Sequence, residues 1–436
     1  MKTITRKLNK KAPILLALFL TAALLLSACG TSETNTAANS GSVQNLSAAA
    51  SLASAGTGEA SSGSAESSAK LSADSSETGN EAFSSRDLSG AYDAAEAVTI
   101  SLNGTSAEAS SDGVQISGGT ATISAAGTYL LSGTLENGSV IVDVSKDDKV
   151  QLVLDGVSIH SESFAAIYVV QADKVFITLA EGSVNSLTNG GSFVQIDEND
   201  VDAVVFSKDD VTLNGTGSLF ISSPAGNGVS GKDEVTITGG VYEITAEGHA
   251  IQAKDSLAIA DGSFVLTANE DGLHAENNDD ETLGSLYVAG GSFVIRVKDD
   301  AIHANSLLQI DGGAFQITAA EGLEATYIQI NGGDIQISAS DDGVNAARKS
   351  SAYTPTFEMN DGSLTIVMSA GDTDAVDSNG NIVVNGGTID IAGQSSFDYD
   401  GTAQYNGGTI IVNGQQINSI PTQMMGGMGG MGGGRR

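Results

Sequence analysis

From about Val211 to the C-terminus, apolar and polar residues alternate in short runs broken by glycine and by Asp/Asn-rich turns. The whole pattern recurs. The glycine that ends the first turn of each unit stands at Gly217, Gly240, Gly262, Gly291, Gly313, Gly333, Gly362, Gly387 and Gly408, at intervals of 23, 22, 29, 22, 20, 29, 25 and 21 residues. The two intervals of 29 carry insertions, Asn277–Gly284 and Arg348–Pro355. Each unit of about 22 residues holds three period-two strand signals. In the unit that starts at Leu286, Leu286 and Val288 point one way, then Phe293, Ile295 and Val297, then Ile302 and Ala304, with turns at Ala289–Gly291 and Lys298–Asp300. Stacking the units makes inward columns. One is Leu219, Tyr242, Phe264, Phe293, Phe315, Ile335, Leu364 and Ile389. Another is small throughout: Gly231, Ala253, Ala275, Ala304, Ala325, Ala346 and Ser378. Such a repeat buries its faces only by stacking on its neighbours. It lacks the Leu/Asn signature of leucine-rich repeats and the 3.6 period of helical ones. The expected fold is all-β, a parallel β-helix with three short strands per coil. Residues 97–190 read similarly with looser spacing and are expected to form its first coils and cap, with a separate β-sandwich as the alternative.

Composition narrows the function. Asp and Glu number 53 against 19 Lys and Arg, a formal charge of −34, which argues against a nucleic-acid partner. The single cysteine excludes an intramolecular disulfide, a zinc ribbon and a Cys-ligated iron–sulfur cluster. That cysteine ends an export signal. Lys2, Arg6, Lys7, Lys10 and Lys11 precede the apolar run Ile14–Leu26, which leads into Leu26-Ser27-Ala28-Cys29-Gly30. The segment reads as a bacterial lipobox with Cys29 lipidated; an ordinary signal peptide with a stray cysteine is the alternative. Four segments follow: a signal peptide at 1–28, a Ser/Ala/Gly-rich tether at 29–92 that cannot bury enough apolar surface to fold, a β-helix at 93–417, and a Met/Gly-rich tail at 418–436. The expected location is the extracellular face of the cell membrane, reached through a lipid anchor alone. The methionines of the tail could bind Cu(I); a plain disordered tail is the simpler reading.

The turn into the third strand carries the candidate chemistry. Its column reads Asp202, Asn227, His249, Asp271, Asp300, Glu321, Asp342 and Asp374, with Asp299 and Asp341 one residue earlier in their units. Three residues later comes a polar column: Gln252, His274, His303, Glu324, Asn345 and Asp377. Carboxylates one strand spacing apart repel, and nearby cations are few. Divalent cations are the natural remedy, and calcium accepts such an oxygen-rich, loosely shaped donor set. The candidate ligands are Asp271, Asp299, Asp300, Glu321, Glu324, Asp341, Asp342, Asp374 and Asp377. Solvated acidic turns remain the alternative, since Asp and Asn favour turns without any ligand; a transition metal on the histidines is a third. His274, His303, Asn345, Tyr287 and Tyr327 are candidates for contact with a bound molecule.

The stretch AAIYVVQADKVFITLAEGSVNSLTNGG at 165–191, the Asp-Gly-Leu-His-Ala run at 271–275 and the closing Met/Gly tail resemble the bacterial carbohydrate-binding β-helix proteins. The resemblance runs from about residue 97 to the C-terminus. It implies a pectate-lyase-like right-handed helix, calcium within it, and binding of cellulose or acidic sugars at the cell surface. The expectation is a calcium-dependent, non-catalytic, monomeric polysaccharide binder such as would hold polygalacturonate. A calcium-dependent lyase acting on uronates is one alternative; it would draw a base from Arg296, Lys298, Arg348 or Lys349. A structural or adhesive protein with no sugar ligand is another.

Overall fold

The computed structural model describes residues 82–371 and 373–421. The expected signal peptide with Cys29, the tether up to residue 81 and the tail from residue 422 lie outside the described residues. The described chain is all-β: 36 strands joined in one hydrogen-bonded sheet, with no helix among them.

Each repeat lays down a first, a second and a third strand. Each pairs in parallel with its counterpart one repeat later, so three ladders run side by side. In the second ladder, Tyr242 faces Phe264, Phe264 faces Phe293, Phe293 faces Phe315, and the column continues through Ile335, Leu364 and Ile389. This is the inward column expected from the sequence, and all of it is buried. Its rings stack at centroid distances of 5.1, 4.7 and 4.5 Å. The Tyr242 hydroxyl, which would otherwise be a lone polar group in that stack, donates to Gly239 O at 2.7 Å. The small column from Gly231 to Ser378 is also in unbroken register.

The turn glycines have a backbone reason. Gly291 and Gly313 sit at φ of 113° and 105°, a region that side chains with a Cβ avoid. Gly217 differs. The positive φ of its turn falls at Gly215, while a Cβ at Gly217 would lie 2.4 Å from Ala180 O, so close approach selects glycine there. In two repeats the third strand runs straight into the next first strand, giving the long strands Asp300–Ile310 and Glu321–Ile330 instead of two short ones. No insertion interrupts those turns, and Ser306 N donates to Gly284 O across the junction.

The ladders continue upstream without a break. Lys149–Ser161 pairs with Lys174–Leu179, which pairs with Asp210–Gly215. The upstream segment is therefore part of the same sheet rather than a separate sandwich. Antiparallel pairs close both ends: Ile100 with Ala109 and Val114 with Ile123 at one, Ile410 with Ile417 at the other. Residues 83–92, which the sequence assigns to the tether, instead lie across the outward face of the first ladder. The Asp87 carboxylate, 3% exposed, accepts from Thr212 Oγ1 at 2.6 Å and pairs with Lys174 Nζ at 3.0 Å. Arg86 donates to Gln151 Oε1 and lies over the Phe176 ring. Polar groups of the sheet that need partners hold this strap, a signal that hydrophobic periodicity does not carry.

A chain of side-chain amide hydrogen bonds along the turns was also missed. Asn331 donates to Asp311, Asn360 to Asn331, Asn385 to Asn360 and Asn406 to Asn385, all at 2.7–2.8 Å. Its signal was available: Asp311, Asn331, Asn360, Asn385 and Asn406 stand just before the turn glycines of five successive repeats. Asn360→Ala breaks two of these bonds and is expected to cost about 1 kcal/mol, read as a lower urea midpoint with an unchanged slope.

Candidate metal centre

The third ladder carries both polar columns. The later one runs Ser230, Gln252, His274, His303, Glu324, Asn345, Asp377 and Asp398 in continuous register. The earlier one caps the backbone of the following repeat. Asn227 Oδ1 accepts from His249 N at 2.8 Å, His249 Nδ1 from Asp271 N at 3.2 Å, Asp271 Oδ1 from Asp300 N at 2.9 Å, and Asp342 Oδ1 from Asp374 N at 3.1 Å. Three groups bring ligand atoms within 4.8 Å of one another: His249, Asp271 and His274; Asp271, Asp300 and His303; and Asp300, Glu321 and Glu324.

The columns divide into two halves of different chemistry. In the first, His249, His274 and His303 stack at 4.1 and 4.8 Å. Asp271, 4% exposed, accepts from His274 Nδ1 at 2.6 Å and lies 3.3 Å from His249 Nδ1. Burial pushes its carboxyl up, but the two imidazoles outweigh burial and hold it well below the usual range. His303 Nδ1 lies 3.0 Å from Asp300 Oδ2 and 2.8 Å from Glu324 Oε2. Desolvation opposes its charge, yet those carboxylates raise it to about 10. Glu324 is likewise drawn down to about 2 against burial, by His303 and by Lys349 Nζ at 2.8 Å. His249 and His274 have partners on both ring nitrogens, whereas His303 is paired on Nδ1 and its Nε2 is buried with no partner.

The second half holds carboxylates with little to offset them. Burial raises Glu321 to about 8, with Glu324 adding to the effect. Burial likewise raises Asp342 and Asp377 to about 6, with further repulsion from Asp341 and Asp374 on the one and from Asp342 and Asp398 on the other. Asp300, at the border, rises to about 7 through burial and the charges of Asp271 and Glu324. Asn345 Nδ2 donates to Glu321 at 2.9 Å and to Glu324 at 3.2 Å, while its Oδ1 is buried without a partner. Asp300, Glu321 and Glu324 bring carboxylate oxygens together beside the unpaired Asn345 Oδ1, an all-oxygen set that Asp342, Asp374 and Asp377 extend along the columns without joining any of the three groups. That set fits calcium.

The structure thus sorts the candidates. Asp271, Asp300, His274 and His303 belong to the histidine half, and Glu321, Glu324, Asp342, Asn345, Asp374 and Asp377 to the carboxylate half. Asp299 and Asp341 are exposed and enter none of the three groups. Tyr287 and Tyr327 stand on the first ladder, away from both columns. The Tyr287 hydroxyl donates to Asp311 at 2.8 Å, and that of Tyr327 to Glu358. His249 was missed as a member of the imidazole stack, although its place 22 residues before Asp271 was the available signal.

With this geometry in hand, a model of the carbohydrate-binding domain-containing proteins matches residues 117–373, well over half of the chain. The chain belongs to that family. The matched span covers the histidine half, the carboxylate half as far as Asp342 and Asn345, and the insertion at 348–355, and it stops just before Asp374. Within the family, a carbohydrate-binding domain-containing protein of Acetivibrio thermocellus is 36% identical over 137 residues, 31% of this chain and 48% of that one. The chain spans about half the length of that relative. A solved structure, the polysaccharide lyase-like protein from C. thermocellum in a gadolinium derivative, aligns with 30% identity and a TM-score of 0.49 over 55% of this chain and 94% of the other.

Proposed function

We propose that this protein is a lipid-anchored, non-catalytic binder of polysaccharide, neutral or acidic, whose three ladders wind as a right-handed parallel β-helix stabilised by calcium. Membership of a carbohydrate-binding family supports the ligand class. The observation that carries the calcium reading is the carboxylate half of the columns, where Asn345 Oδ1 has no partner beside the Glu321 carboxyl, which burial and then the charge of Glu324 push up. Glu321, Glu324, Asn345, Asp342, Asp374 and Asp377 would hold the ion. Bound there, it would neutralise the charge of the ladder.

The lyase alternative has one specific group in its favour, Lys349 beside the acidic columns. A base must shed its proton. Desolvation favours that loss, but the ion pair with Glu324 outweighs it and raises Lys349 above its ordinary value. The ammonium is therefore held in the wrong state for proton abstraction.

The test is a pull-down of the mature chain on insoluble polysaccharides, with calcium and with chelator, run beside an absorbance assay for unsaturated products from polygalacturonate. Retention in calcium, weaker retention in chelator and no absorbance rise are expected. Failure to bind any glycan would sink the reading, and a rise in absorbance would replace it with the lyase. The anchor is tested separately: Cys29→Ala is expected to move the protein from the membrane fraction to the medium.

A further inference from the structure

The outward side of the first ladder is one continuous column: Gln151, Phe176, Thr212, Thr236, Ala258, Tyr287, Gln309, Gln329, Glu358, Val383 and Gln404. The strap at 83–92 covers its beginning and ends at Tyr287, whose ring lies 5.9 Å from Phe83. Beyond that point no strap follows among the described residues, and the column continues through the buried Gln309, the half-buried Gln329, Glu358 and Val383, and the exposed Gln404. Gln309 donates to Asp311 at 2.9 Å and keeps Oε1 buried without a partner. Gln329 donates to Glu358 at 3.3 Å.

The two insertions wall this face. Ser350 Oγ donates to Glu281 O, and Ser351 N to Glu281 Oε2 at 3.1 Å, so the loops at 277–284 and 348–355 touch although they are separated by two repeats. Thr326 Oγ1 accepts from Lys349 N and Ser350 N at 2.9 and 2.8 Å and donates to Asn305 O at 2.7 Å, which ties the second loop to the sheet. Held this way, the loop sets Tyr353, 38% exposed, against Tyr327 with ring centroids 5.6 Å apart. Tyr327 is in turn fixed through Glu358.

We propose that this walled face, with Tyr353 and Tyr327 as a stacking platform and Gln309, Gln329 and Glu358 as hydroxyl partners, is the glycan-binding site, and that its ligand is a neutral polysaccharide. The inference rests on the carbohydrate-binding reading above and gives it a place and a ligand class. The apolar C–H face of a pyranose ring packs on an aromatic ring, and its rim of hydroxyls seeks fixed amides and carboxylates. A preordered loop lowers the entropy lost on binding. The charge on the face is acidic: Asp311, Glu358 and Glu281 border it, and Lys349 is already engaged by Glu324. A uronate would meet repulsion here, whereas an uncharged sugar does not. The site is also on a different ladder from the carboxylate columns, so sugar contact and calcium binding are separable.

The test is calorimetric titration of the mature chain with cellohexaose as the neutral probe and oligogalacturonate as the acidic one. Tyr353→Ala, on an exposed loop, is expected to weaken cellohexaose binding about tenfold with calcium affinity unchanged. Tyr353→Phe keeps the ring and is expected to bind as wild type. Gln309→Leu, which preserves bulk and removes the unpaired acceptor together with the bond to Asp311, is expected to weaken cellohexaose binding while calcium affinity stays unchanged. Unchanged cellohexaose affinity in Tyr353→Ala and Gln309→Leu would overturn the site and leave the carbohydrate-binding reading intact. Loss of binding in Glu321→Gln but not in Tyr353→Ala would move the ligand to the carboxylate ladder. A wild-type chain that binds neither probe would overturn both.

Discussion

Chelating divalent cations is expected to lower the melting temperature by about 5 °C, and Glu321→Gln is expected to change the melting temperature with opposite signs in the two buffers. An ion kept at about a hundredfold its dissociation constant stabilises the folded state by about 2.7 kcal/mol, and in a domain of this size each kcal/mol moves the midpoint by about 2 °C. The ion is not the only effect. Without it, Glu321, Asp342 and Asp377 are raised by burial and, secondarily, by neighbouring carboxylates, with Asp342 acting on both Glu321 and Asp377. Glu321→Gln keeps the length of the side chain and its bond partner Asn345. In calcium it removes a hard ligand, so the variant is expected to melt below wild type. In chelator it removes a repelling charge, so it is expected to melt at or above wild type. Solvated acidic turns with no ion predict the second result in both buffers. Differential scanning of the two proteins in the two buffers checks the pair of signs.

The second large effect is the pH dependence of the metal-free protein, which is expected to lose stability as pH rises from about 5 to about 8. Glu321 rises from its ordinary 4.5 to about 8, and Asp300 from 3.8 to about 7. Asp342 and Asp377 rise from 3.8 to about 6. A carboxyl raised by folding binds more protons in the folded state. Its contribution is complete below the unfolded value and is lost as pH climbs through the folded one. His303, raised from 6.5 to about 10, has the same sign, its stabilisation fading above neutrality. Asp271 and Glu324 act oppositely, because both are lowered, but their gain is complete by about pH 5. Above that point every named group points downward. Calcium competes with protons for the same oxygens and binds better as pH rises, so saturating calcium is expected to flatten or reverse the slope. Thermal melts across this range with chelator and with calcium measure both slopes; a rising curve in chelator would contradict the electrostatics of the carboxylate half.

Much of the fold was legible because the repeat is strict. A period-two alternation fixes which side chain points inward, and a 22-residue recurrence fixes which neighbours it meets, so the Tyr242–Phe315 stack and the small column could be written down before any coordinates. The register of Gln252, His274, His303, Glu324, Asn345 and Asp377 followed from the same count. What the repeat could not convey was the ionic state of each position. Asp271 and Glu321 occupy the same column, yet imidazoles lower one and neighbouring carboxylates raise the other. That difference depends on which side chains stand one repeat away and how deeply they are buried. The strap at 83–92 was illegible for a related reason. Its anchor is Asp87 pairing with Lys174 and Thr212, more than 80 residues away, in a stretch whose composition reads as a tether. Tyr287 reads from the sequence as an outward residue of a first strand, between Leu286 and Val288; what the repeat does not convey is that its hydroxyl and that of Tyr327 are taken up by carboxylates on later repeats, Asp311 and Glu358.

The most direct test of the proposal that the carboxylate ladder binds calcium is an anomalous-difference map from crystals grown in calcium. The account predicts a peak bounded by Glu321, Glu324 and Asn345 Oδ1 or by Asp342, Asp374 and Asp377, and none between His249 and His274. A map with no peak along the carboxylate half, or with its only peak among the histidines, would contradict it.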